Sequence, residues 1–128
     1  MAERALVNSD IAAAERLVSF LDANGFPVKA ALWLYESEAE RWRFVISFQE
    51  KRQNIGKFYP DIAKLFNARG LDRGLLELDR VRIVDAERSI VEPLSKGMQG
   101  VNSAGRRLVN EQVNGVFFED ALILRLPA

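Results

Sequence analysis

Gly100, four intervening residues, and then Gly105, Arg106 and Arg107 form the stretch whose spacing comes nearest to phosphate chemistry. A phosphate-cradling loop of the nucleotide-binding kind needs lysine and then serine or threonine after its last glycine, between a strand and a helix. The lysine reaches phosphate and the hydroxyl holds magnesium. Here two arginines occupy those places and a strand is expected to follow, so only a weaker chemistry survives: turn amides beside Arg106 and Arg107 that can hold a phosphate or sulfate. Among the carboxylates, Asp61, Glu77 and Asp79 are the candidates for a metal-dependent enzyme. A magnesium-dependent nuclease hairpin would continue Pro60-Asp61 with an Asp/Glu-x-Lys triplet on a strand, and no such triplet follows; Glu77 and Asp79 have no lysine two residues beyond. No metal ligand is singled out, and no cofactor is expected.

Charge sums to zero, with 18 basic and 18 acidic residues, but it is unevenly spread. Residues 1–40 hold three basic and seven acidic residues, a balance of minus four, whereas residues 41–64 hold six and two, a balance of plus four. The basic stretch interleaves Arg41, Arg43, Lys51, Arg52 and Lys57 with Trp42, Phe44, Phe48, Phe58 and Tyr59, a composition that suits cation-plus-stacking recognition of single-stranded nucleic acid. Strand alternation opposes that use, because it places Trp42, Phe44 and Phe48 together on an apolar face. The central strand of an RNA-recognition motif also fails as a template for Glu40 to Ser47: Trp42, Phe44 and Val45 fit and the other defining positions do not. A nucleic-acid or phosphate binder using Arg41, Lys51, Arg52, Lys57, Arg106 and Arg107, with Arg43 beside them, is therefore the alternative reading.

The chain has no histidine and no cysteine. It cannot supply a Ser-His-Asp or Cys-His triad, a thiol nucleophile or an imidazole proton shuttle. Zinc and iron–sulfur ligand sets are removed with them, which leaves carboxylates and carbonyls suited to magnesium, manganese or calcium. An absence of disulfides fits a reducing cytoplasm. Met1 to Phe20 carries Glu3, Arg4, Asp10, Glu15 and Arg16 without a continuous apolar stretch, so neither a secretion signal nor a membrane span is expected there.

The elements that must position these residues are legible from period and punctuation. At 128 residues, 48% of them hydrophobic, one domain spanning residues 1–128 is expected, with no linker or repeat. Ser9 or Asp10 is placed to cap a helix that buries Ile11, Ala14, Leu17, Val18 and Leu21 and ends at Gly25. Val28 to Tyr35 and the alternating run Arg41 to Phe48 predict an antiparallel hairpin. Pro60 opens a short second helix over Ile62, Leu65 and Phe66 that closes at Gly70, and Leu78 to Val84 reads as a third strand. A helical segment with Ile90, Val91 and Leu94 is opposed by Pro93. Asn114-Gly115 then joins Arg107–Val113 to Val116–Leu126 as a second hairpin, with Phe118, Leu122, Leu124 and Leu126 on one side of the last strand.

This order predicts an α+β fold, a mainly antiparallel sheet of about five strands with two or three helices on one face. If the helices cover Leu32, Leu34, Phe44, Ile46 and Leu124, alternation sends Trp33, Tyr35, Arg43, Val45, Phe117 and Ile123 to the opposite side. That set is too apolar for bare solvent and rich in the residue types of binding hot spots. The first expectation is a non-catalytic, cytoplasmic protein-interaction module docking through this face, most simply onto a second copy of itself. Coverage of the face by the C-terminal elements or a long loop is the competing expectation.

Overall fold

The computed structural model describes residues 6–70, 73–99 and 103–127. Gly100 and Asn102 of the Gly-rich stretch, and residues 1–5 of the N-terminal segment, lie outside the described residues.

Helix α1 spans Asn8–Ala23. It starts slightly before the expected cap: Val7 is the N-cap and offers no side-chain bond, while Asp10 sits in the first turn and pairs with Arg80. Its end is as the sequence predicts. Gly25 adopts φ +90 and the Phe26 amide donates to the Leu21 carbonyl at 2.9 Å, the six-to-one bond of a Schellman cap. Strands β1 (Val28–Glu36) and β2 (Arg41–Phe48) pair antiparallel, Glu36 opposite Arg41 and Val28 opposite Phe48. Helix α2 (Phe58–Leu65) runs on into a π-helical turn, Phe66–Gly70. Strand β3 is only Val81–Ile83, shorter than expected because Leu78–Arg80 winds into a 3-10 turn, and it pairs parallel with β2. Helix α3 covers Val91–Gly97. Pro93 does not interrupt it, since the helix begins late enough to place proline in its first turn, where a missing N–H costs no internal hydrogen bond.

Strands β4 (Arg107–Val113) and β5 (Val116–Arg125) form the second hairpin. Asn114 and Gly115 both take positive φ, 48 and 85, as a two-residue hairpin turn of the primed type requires. The sheet order is β3-β2-β1-β5-β4, five strands, mostly antiparallel, in the α+β class expected.

The core lies in two layers. On one side of the sheet, Leu17, Leu21, Phe58 and Ile62 pack on Trp33, Phe44 and Ile46, so α1 and α2 share a face. On the other, Val91 and Leu94 of α3 and its C-cap Met98 pack on Leu32, Val45, Leu108, Phe118 and Ile123. Two helices thus share one face as anticipated, and the third covers much of the face thought to be open.

The assignment of side chains to faces needs correction in β1. Because Glu36 pairs with Arg41, Trp33 stands opposite Phe44 and Leu32 opposite Val45. Directly opposed residues in an antiparallel ladder share a face, so Trp33 and Tyr35 join Trp42 and Phe44 under the first helices, while Leu32 and Leu34 turn toward α3. In β5 the phase also changes: Phe118 lies with Ala121 and Ile123 on the α3 side, whereas Leu122 and Leu124 flank the other core. Asn110 at φ 49 interrupts regular alternation in β4 across from this change.

Candidate interaction surface

Of the six residues expected to form a docking face, four are core. Trp33 and Ile123 have no exposure, Val45 has 1% and Tyr35 7%. Trp33 is enclosed with the Arg80 guanidinium carbon 5.2 Å from its ring centroid, and its indole N–H has no acceptor among the described residues. Phe117 alone is well exposed, at 60%, and stands with Val109, at 51%, on the β4–β5 hairpin. Arg43 is half-buried and donates to Glu36 at 3.1 Å. Glu36 also accepts from Arg82 at 3.0 Å, so one carboxylate at the end of β1 ties β2 and β3 together.

What remains uncovered of the α3-side face is a groove. Its floor is Leu34, Val45, Val84 and Ile90, and Arg82 and Arg88 stand at its edge with Asp85; its volume is about 500 Å3. Sequence and topology build it locally. The parallel pairing of β2 and β3 sets Val45 beside Arg82, and the antiparallel pairing of β1 and β2 sets Leu34 beside Arg43. The turn at 85–90 then folds over the sheet before α3 begins, held by the Asp85 carboxylate accepting from the Glu87 amide at 2.8 Å and by Ser89 Oγ accepting from the Val91 amide at 3.2 Å. α3 starts only at Val91 and packs over β1, β5 and β4 and on Val45, which is closed at 1% exposure, so the accessible apolar surface beside it is that of the half-buried Leu34, Val84 and Ile90.

Electrostatics distinguish the two edge arginines. Arg82 has Glu36, whereas Arg88 is exposed and has no carboxylate partner among the described residues. The site therefore offers an apolar floor beside one available guanidinium, which suits an apolar side chain accompanied by a carboxylate. Its polar side chains, Ser89 and Asp85, are committed to turn amides, and no nucleophile and base are in contact there. Strand alternation puts Val45 and Arg43 on an interaction face, but it puts Leu34 on the opposite, helix-covered face; Ile90 reads only as part of a helical segment, and Arg88 is given no role. The signal for Leu34 was the register implied by the short 37–40 connection; Arg88 carried none, because its position depends on how the 85–90 turn folds.

The cations of the alternative reading are mostly engaged. Arg52 donates to Glu50 and Asp61, both at 2.8 Å, and Lys51 to Glu87 at 2.9 Å. Arg106 lies 3.7 Å from Glu111. Arg107 binds both oxygens of Asp120, at 2.5 and 2.8 Å, and the hydrogen bond to that carboxylate holds its guanidinium more firmly protonated than usual against the opposing effect of burial. Arg41 and Lys57 are not drawn into these pairs. Of the candidate metal-binding acids, Asp61 faces Arg52, and Glu77 and Asp79 border or lie in the 3-10 turn. Among the described residues no group of acidic side chains is placed to hold a metal ion. Nor is any of their helices long and apolar enough to cross a membrane.

No known protein family, curated protein or solved structure matches this chain.

Proposed function

We propose that this chain is a non-catalytic protein-interaction module of the cytoplasm, and that it takes an apolar segment of a partner protein into the groove over Leu34, Val45 and Ile90. The observation that carries the reading is the pairing of the half-buried Leu34, Val84 and Ile90, above the closed Val45, with Arg88, a guanidinium lacking a carboxylate partner among the described residues. Burying a large partner side chain there removes apolar surface from water on both molecules, worth about 1.5–3 kcal/mol for a fully buried leucine- or phenylalanine-sized group. An acidic residue next to it would complete Arg88 and fix the orientation of the segment.

Selection of a random peptide library on the purified protein tests this. The expected result is enrichment of peptides that carry a large apolar residue close to Asp or Glu, with Arg88→Glu weakening the selected peptide at least tenfold. A selection without enrichment, or binding indifferent to Arg88→Glu, overturns it.

A second reading, self-association, is supported by Val109 and Phe117, the large apolar side chains left exposed on one hairpin. Light scattering at tens of micromolar decides it. A dimer that Phe117→Ser converts to a monomer favours this surface, and a strict monomer counts against it.

A further inference from the structure

Arg16 of α1 and Arg73, from the segment beyond the π-helical turn after α2, line one groove on the outer side of α1, and Arg69 of that turn bonds to its lining residues Asn24 and Arg73. Arg16 Nη1 donates to the Gly74 carbonyl at 3.4 Å, Arg73 Nε to the Arg69 carbonyl at 2.7 Å, and Arg69 Nη1 to Asn24 Oδ1 at 3.3 Å. Every one of these acceptors is neutral. Arg52, Arg107 and Arg125 each face a carboxylate, but these three guanidinium groups have none among the described residues.

The groove they border has a volume of about 690 Å3 and is lined by Arg16, Ser19, Phe20, Asn24, Arg73 and Leu75, with Glu15 as its one acidic side chain. Both of its arginines have a backbone acceptor: Arg16 has the Gly74 carbonyl, and Arg73, with its guanidinium carbon 5.9 Å from the Phe20 ring centroid, has the Arg69 carbonyl, which lowers part of the ordering cost of binding. The backbone that carries Arg69 is a single π-helical turn, a conformation that is rare and concentrated at functional sites.

We propose that this groove binds a phosphomonoester, with its dianionic phosphate taken between Arg16 and Arg73 and its organic body against Leu75. Phosphate presents several strong acceptor oxygens, which two separated planar guanidinium groups and the Ser19 hydroxyl match better than they match a single carboxylate. The proposal is independent of the peptide groove, which lies on the α3 side of the sheet. It also moves phosphate chemistry away from residues 41–57 and 106–107, whose cations are largely paired.

Calorimetric titration of the full chain with phenyl phosphate at low salt tests it. Binding is expected, weakened about tenfold by Arg16→Gln and by Arg73→Gln, the loss typical of a charge-assisted hydrogen bond. Glu15→Gln should tighten it by about threefold at low salt, the scale of an exposed charge pair, and a misfolded variant would not produce a gain. Phenyl phosphate affinity unmoved by all three substitutions overturns the proposal. So does a single-stranded oligonucleotide without terminal phosphate that competes for the groove more strongly than phenyl phosphate, since it would assign the arginines to phosphodiesters.

Discussion

Trp33 and Phe44 stand directly opposite each other in the β1–β2 ladder, their ring centroids are 5.1 Å apart, and neither has any solvent exposure. This pair anchors the layer beneath α1 and α2, and it takes tryptophan out of the set of side chains that could touch a partner. Truncating either ring leaves a cavity in a close-packed core, so Trp33→Ala or Phe44→Ala should each cost about 3–5 kcal/mol in chemical denaturation. A loss below about 1 kcal/mol would place the rings at a surface instead.

One edge of the sheet is closed by a side chain. The Ile83 amide in β3 donates to Tyr59 Oη at 2.8 Å, so α2 covers a donor that would otherwise face outward. Tyr59→Phe keeps the ring and removes the acceptor. Denaturation should show a loss of about 1–3 kcal/mol, the cost of an unsatisfied buried amide, together with faster hydrogen exchange at Ile83. Unchanged exchange at that amide would contradict the capping role.

Gly97 ends α3 against the β4–β5 turn. A Cβ built on it would collide with Val113 Cγ1 and come within 3.4 Å of Asn114 Cβ, and the β-branched valine has little freedom to move. Gly97→Ala is therefore expected to destabilise by about 1–3 kcal/mol despite the usual helix preference for alanine. Adding Val113→Ala should recover part of that loss in a double-mutant cycle, and strict additivity would show that the two positions do not meet.

Lys51 is held above its usual pKa of 10.5 by its hydrogen bond to Glu87 and by the charge of that carboxylate, with Asp85 adding to the effect and partial desolvation opposing it. A raised folded-state pKa means that the pair's contribution is complete below the unfolded value and fades as pH climbs through the folded one. The titration of the Lys51 ammonium followed by NMR should lie above 10.5 and fall in Glu87→Gln. No difference between the two proteins would remove Glu87 as the cause.

Much of this fold is written in local signals. Gly25-Phe26-Pro27 marks the end of α1 and Asn114-Gly115 marks the second hairpin, because each depends on a backbone conformation few residues can adopt. Which side of the sheet β1 presents was not local. Val28 to Tyr35 is apolar on both faces, so alternation within it carries no phase, and only the register with β2 turns Trp33 inward and Leu34 outward. Pro93 opposes a helix only if it falls in the interior, and α3 begins late enough to put it in the first turn, where the same residue is tolerated. The candidate groove was half-legible for the same reason. Val45 and Arg43 follow from strand alternation, but Ile90 and Arg88 arrive through the 85–90 turn, whose path is set by capping bonds from Asp85 and Ser89 that no periodicity announces.

In the proposed complex a partner's apolar segment docks over Leu34, Val45 and Ile90 with its carboxylate on Arg88. Titrating a library-selected peptide into isotope-labelled protein and reading which amide resonances shift tests it most directly. The expected footprint is confined to β1 and β2 near Leu34 and Val45 and to residues 82–90, and it is lost in Arg88→Glu while the protein stays folded. A footprint centred on Phe117 and the β4–β5 hairpin, or one unchanged by Arg88→Glu, would contradict it.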